Sequence, residues 1–278
     1  MKRRPGWYAC GSVLYVAMLL PGALLPAGAR QPTDEAKTYT LERKFEKDRV
    51  DRYRITAKVA INGPLTDGAE TSIKFQVLMK QTVKEVQEDG VALVASEAEK
   101  ATVEFGDQET DALAFFPKIT QKVDRRLRLL ESKAEGNTPP GGLGNNDLLS
   151  VFTRAQASFF PSGPVKVGDT WKIEERSENP KMSISGKGRV VKAEKIGDMD
   201  TLQLKVTADM TGEEGGGAKS RIDGTANVDV ATGRVVRMKG TINVEASAVG
   251  KTRAEFDFAL VTDREATDKP SGEKRDTR

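Results

Sequence analysis

Apolar and polar positions alternate with a period of two along most of the chain beyond residue 38. The clearest run is Val50 to Ile61, in which Tyr53, Ile55, Ala57, Val59 and Ile61 share one face. That is the pattern of a half-buried strand. Thr38 to Asp48 alternates in part, through Tyr39, Leu41 and Phe45, and is read as a strand as well. Asn62-Gly63-Pro64 and Asp67-Gly68 are turn signals. Ile73, Phe75, Val77 and Met79 line one face of the next strand, Glu88-Asp89-Gly90 turns it, and Val91 to Val103 returns. This predicts a long hairpin with an Asp-Gly turn. Phe105 to Pro117 follows neither period. Ile119 to Ala134 carries Val123, Leu127 and Leu129 among charges, which could suit a helix; its likeness to a later segment favours a strand pair.

A loop of Pro, Gly and Asn over 137–146 precedes the one stretch with helical spacing. Leu148, Val151, Phe152 and Ala155 recur as on a helix face, Asn146 suits the N-cap, Asp147 suits the first turn, and Phe159–Pro161 ends the run. Six strands are predicted after it, at Trp171–Arg176, Met182–Lys195, Thr201–Met210, Ser220–Val230, Arg234–Val249 and Thr252–Val261. Gly197-Asp198, Gly215–Gly217, Ala231-Thr232-Gly233 and Gly250-Lys251 punctuate them, as in an antiparallel meander. The tail from Asp263 to Arg278 is charged and lacks an apolar cluster, so disorder is expected there.

The predicted fold is mainly β: antiparallel meanders forming a curved sheet, half-barrel or sandwich, with one central α-helix. The organisation expected is an N-terminal β unit over 38–135, a loop and helix over 136–161, a C-terminal β unit over 162–262 and a tail over 263–278. Lys80–Glu97 resembles Lys187–Thr207 in pattern, and Val123–Glu135 resembles Val228–Glu245, which suggests a duplication. Long strands with one apolar face must cover that face, and a single helix cannot cover two meanders. The sheets are therefore expected to close, to pack on each other or to leave a cavity.

The N-terminus changes the reading of charge. Lys2, Arg3 and Arg4 precede an apolar stretch from Val13 to Leu25, and Ala27-Gly28-Ala29 follows. This order predicts a secretory signal over residues 1–29, read by its peptidase at Ala27 and Ala29. The apolar run falls short of the roughly 20 residues that a membrane span needs, so no integral span is expected after cleavage. The expected location is the periplasm or the outside of the cell. The whole chain has 44 Lys+Arg against 41 Asp+Glu; residues 1–29 hold three of the basic and none of the acidic residues, which leaves 41 of each. No basic patch for nucleic acid is expected.

Chemistry is limited by what is missing. There is no histidine, and the one cysteine, Cys10, lies within the signal. Histidine-dependent nucleophilic catalysis and His/Cys zinc sites are thereby excluded. Asp107, Glu109 and Asp111 alternate as calcium ligands do, but Ala112 and Lys118 stand where an EF-hand needs Gly and Glu. The stretch 212–220 approaches a phosphate-binding loop, yet Ala218 breaks the spacing and a strand follows. Asp198 and Asp200 flank a turn without a partner acid to form a hydrolytic pair. No cofactor and no metal are expected.

The most distinctive stretch is Phe160–Trp171 (FPSGPVKVGDTW), whose prolines and Gly168-Asp169 turn deliver Trp171 into a strand. Pro164 to Trp171, with Val228–Val236 (VDVATGRVV) further on, resembles a group of secreted bacterial β-rich proteins of unknown function. The layout over 38–262 is more distantly similar to the half-barrel lipoprotein carriers of the bacterial envelope. That second resemblance implies an antiparallel sheet wrapped around helices and holding acyl chains; neither implies catalytic residues. Three functions compete. One is a non-catalytic envelope protein holding lipid or another apolar ligand, with Trp171, Phe75 and Phe152 as candidate contacts. Another is a scaffold acting through its sheet edges, and the last is a hydrolase using carboxylates alone.

Overall fold

The computed structural model describes residues 37–62, 70–135, 156–178, 181–212, 219–246 and 250–261. The expected signal over 1–29, the tail over 263–278, the loop over 137–146, Phe152 and most of the expected helix lie outside those residues. Of that helix only the last residues are described: Gln156 and Ala157 have helical backbone, and their carbonyls accept the N–H groups of Phe159 and Phe160.

The described chain from 37 onward forms one twelve-stranded antiparallel sheet. Its strands are β1 (Val50–Asn62), β2 (Thr71–Val86), β3 (Ala92–Phe105), β4 (Gln108–Asp111), β5 (Lys118–Val123), β6 (Leu129–Glu135), β7 (Thr170–Glu178), β8 (Lys181–Ile196), β9 (Met199–Gly212), β10 (Lys219–Asp229), β11 (Val235–Ala246) and β12 (Gly250–Val261). The order across the sheet is β6-β5-β3-β2-β1-β12-β11-β10-β9-β8-β7, with β4 paired to β3 beside this path. The pairing of β1 with β12, from Arg52↔Val261 to Asn62↔Lys251, joins the strands of 38–135 to those of 162–262. The mainly β, antiparallel, curved-sheet expectation is met. Two details differ. Thr38–Asp48 is not a ladder strand: it makes one isolated bridge, Tyr39 with Val165, and its N–H groups otherwise bond to the carbonyls of Arg125, Thr232 and Val83. It crosses the sheet and covers it, which also demands apolar residues in alternation. Gly250, read as punctuation, opens β12.

Period-two alternation places one residue set on each face, and the ladder registers align those sets into rows. One row runs Ala101, Val77, Ile55, Phe258, Met238, Ala226, Leu204, Val190 across eight strands. The neighbouring row runs Val103, Phe75, Ala57, Phe256, Gly240, Gly224, Val206, Gly188, Trp171. Rows of the opposite face are polar, for example Glu104, Lys74, Lys58, Glu255, Thr241, Asp223, Thr207, Lys187, Lys172. The glycines in the second apolar row have a steric purpose. A Cβ on Gly188 would fall 2.1 Å from the Trp171 ring, and one on Gly224 or Gly240 would crowd Phe159 or Phe256. These rings approach the sheet at positions where only glycine leaves room.

The apolar face is sealed unevenly. On β9–β11, Leu202, Leu204, Val206, Ile222, Ala226 and Val228 are wholly buried, and Leu41, Phe159, Phe160 and Val165 pack over them from the crossing segments. At about 1.5–3 kcal/mol for each fully buried large side chain, this half holds most of the hydrophobic stabilisation. On β1–β3, Val59, Val77, Met79 and Ala101 are buried, while Ile55, Ala57, Ile73, Phe75 and Val103 are only half-buried.

Candidate functional site

The candidate site is that half-buried apolar strip together with a small polar cavity at one end of it. The strip follows from register alone: Phe105 pairs with Ile73 and Val103 with Phe75, and those two pair with Val59 and Ala57 on β1. Phe105 is 59% exposed, and a 3-10 turn at Leu113–Phe115, tied back by the Ala112 N–H to the Ala101 carbonyl, packs Ala112 and Phe116 against Val77, Met79 and Ala101. Exposed aromatics continuous with a half-covered apolar face are what a binding surface for an apolar molecule requires.

The cavity lies further along the same face of β1. Tyr53 and Asp51 continue the phase of Ala57 and Ile55, so the stripe changes from apolar to polar within two residues. The cavity measures about 40 Å³, and Arg43, Asp51, Tyr53, Val83, Val123 and Leu127 are among its walls. Arg43 comes from the crossing segment, where Leu41, Arg43 and Phe45 alternate; its guanidinium lies 5.3 Å from the Phe45 ring centre. Leu127 reaches the cavity from a left-handed backbone position, φ 59°, in a turn where the Asp124 carboxylate accepts the N–H groups of Arg126 and Arg128.

The charges around this cavity form a network. Arg43 Nη2 donates to Asp51 Oδ2 at 2.6 Å, with both side chains under a tenth exposed. Asp51 Oδ1 accepts from Arg49 Nε and from Arg234 Nη1, each at 3.3 Å. Arg234 also lies 4.0 Å from the buried carboxylate of Asp229, which accepts from the Thr232 hydroxyl. Three guanidinium groups thus surround one buried carboxylate. The other terminal nitrogen of Arg43, Nη1, is buried with no hydrogen-bond partner among the described residues. Tyr53 is stacked on Phe258 with ring centres 4.4 Å apart. Burial, reinforced by the Asp51 charge and opposed by the arginines, pushes its hydroxyl up to about 12, so it remains a protonated donor at physiological pH.

Of the residues expected to touch a ligand, Phe75 is in the strip. Trp171 shares Phe75's row but stands on the edge strand β7, seven strand spacings or about 34 Å away along the sheet. Its ring packs against Gly188 and the main core, and its Nε1 is buried without a hydrogen-bond partner among the described residues. The structure does not bring these two together. The motif around Trp171 forms a shallow groove with Pro161, Pro164 and Asp169; the Asp169 carboxylate accepts the Lys166 N–H, which closes the turn. Asp111 on the calcium-like stretch accepts the Leu113 N–H, and among the described residues no group of three acidic side chains is placed to hold a metal. The carboxyls whose acidity is shifted, Glu97, Glu194 and Asp257, are all held below the usual range. Lys80 does this for Glu97, Lys192 and then Asn227 for Glu194, while for Asp257 hydrogen bonds from Lys239 and Arg237 outweigh its desolvation. A general acid needs the opposite shift.

The Arg43–Asp51–Arg234 network was not anticipated from sequence. The available signal was a charge in apolar phase: Arg43 between Leu41 and Phe45, and Asp51 two residues before Tyr53.

No family model and no curated protein matches the chain. Among the described residues no helix is long and apolar enough to cross a membrane. Among solved structures the chain is similar to DynF from the dynemicin biosynthesis pathway of Micromonospora chersina, with 10% identity over 86% of this chain and 95% of that one and a TM-score of 0.23. It is also similar to the hypothetical lipoprotein YmcC of Escherichia coli (K12), with 13% identity over 76% of this chain and 87% of that one and a TM-score of 0.26.

Proposed function

We propose that this is an exported, non-catalytic protein of the cell envelope that holds an apolar or amphipathic ligand against the inner face of β1–β3. The observation that carries this reading is the asymmetry of the sheet. The row that is sealed at Gly224 and Val206 on β10 and β9 is left half-covered at Ala57, Phe75 and Val103 on β1–β3, and Phe105 beside it is exposed. Leaving that surface in water forgoes about 25 cal/mol for every Å², a cost that binding an apolar molecule would recover. The absence of histidine and the low acidity range of the shifted carboxyls favour binding over hydrolysis.

Phe105→Glu tests the location. Phe105 is mostly exposed, so the fold should tolerate the change. Titration with the neutral fluorophore N-phenylnaphthylamine is expected to show affinity weakened about tenfold, the factor that 1.4 kcal/mol represents. Val191→Glu, at an exposed apolar residue in the bulge of β8, should leave the affinity as it was. Equal effects of the two substitutions would remove β1–β3 as the binding face.

A further inference from the structure

We propose that the cavity beside Arg43 seats the carboxylate of the ligand, so that the ligand is an amphipathic acid whose apolar part lies along Ile55, Ala57 and Phe75. This rests on the apolar-ligand reading and adds the chemistry of the head.

The case starts from Arg43. Its Nη2 is committed to Asp51, while Nη1 is buried and unpartnered among the described residues. A buried guanidinium nitrogen without an acceptor is costly, and native proteins rarely leave one so. The cavity supplies room for the acceptor. At about 40 Å³ it offers roughly three water-sized positions. That suits the three heavy atoms of a carboxylate and is cramped for a tetrahedral phosphate ester. The three guanidinium groups on Asp51 also meet Glu46, through Arg49, and Asp229, through Arg234, so they balance the carboxylates present and the seat rests on the unpartnered Arg43 nitrogen. Tyr53 lines the same cavity as a second oxygen-bound donor. Gln81 and Gln121 also line the cavity, and its other walls, including Val83, Val123 and Leu127, are apolar. The stripe from Tyr53 to Ala57 on β1 then leads about 13 Å along the strand to the row of Phe75. A head at Arg43 and a tail on the strip therefore lie on the same face of β1, either side of buried Val77 and Met79.

Calorimetric titration of the purified chain with decanoate, decanol and acetate tests this. Decanoate is expected to bind about tenfold or more tightly than decanol, and acetate weakly at the same site. In Arg43→Lys, which keeps a cation for Asp51 but loses the second nitrogen, the decanoate and decanol affinities should converge. Tyr53→Phe retains the ring stacked on Phe258 and should lose part of the same preference, which keeps the test available if Arg43→Lys does not fold. Decanol binding with no preference for decanoate would overturn the carboxylate seat and leave the apolar reading standing. A preference that survives in both variants would overturn it too, and failure of both decanol and decanoate to bind would remove both readings.

Discussion

Asp51→Ala is expected to cost about 3–5 kcal/mol of stability, the range for removing one partner of a buried ion pair. Asp51 is the shared acceptor of Arg43, Arg49 and Arg234. Among the described residues Arg43 Nη2 has no other side-chain acceptor, so its charge would remain buried and uncompensated. Chemical denaturation should show the loss as a lower midpoint with an unchanged slope. A second readout separates electrostatics from packing. Asp51 raises the Tyr53 hydroxyl while Arg43, Arg234 and Arg49 lower it. Without Asp51 only burial opposes the arginines, so the tyrosine should ionise below about 12. Double replacement with Arg43→Leu is expected to recover part of the loss, because a pair of apolar groups leaves less charge stranded. A cost under about 1 kcal/mol for Asp51→Ala would mean that the network is solvated, as surface pairs are.

Phe159→Ala should cost a similar amount, about 3–5 kcal/mol. Phe159 is wholly buried and belongs to the crossing segment, not to the sheet. Its ring lies over Gly224, where a Cβ would stand 3.2 Å from Cζ. The glycine floor has no side chains with which to refill the space, so collapse around the truncated residue is limited and the cavity term persists. For a chain of this size the loss corresponds to a fall in melting temperature on the order of 10 °C. A variant that melts within a degree or two of the parent would show that the crossing segment is not a fixed part of the core.

Both residues show what could be read from the sequence and what could not. Strands β1 to β3 and β7 to β12 were legible because one face is buried and the other wet, so alternation carries through. The pair β5–β6 was legible only by comparison with a later segment, since its charged turn hides the period. Thr38–Asp48 alternates for another reason: it lies across the apolar face with Leu41 inward, and its bonds go to Arg125, Thr232 and Val83. Periodicity reports which residues face a core; it does not report whether the backbone joins a ladder. The candidate site was legible only in part. Phe75 was chosen for its apolar phase and lies in the strip. Trp171 was chosen for the turn that delivers it, and that turn places it against Gly188 on the far edge. Arg43 and Asp51 were passed over because a charge in an apolar phase looks like an imperfection in the pattern. Each is explained only by the other, across a contact between the crossing segment and β1.

The most direct test of a ligand on β1–β3 is native mass spectrometry of the chain purified from cells, before and after organic extraction. An adduct of defined mass that extraction removes, and that is recovered in the organic phase as an amphipathic acid, is the expected result. A clean protein mass before extraction, together with a crystal structure in which the chain's own residues pack the β1–β3 face dry, would contradict it.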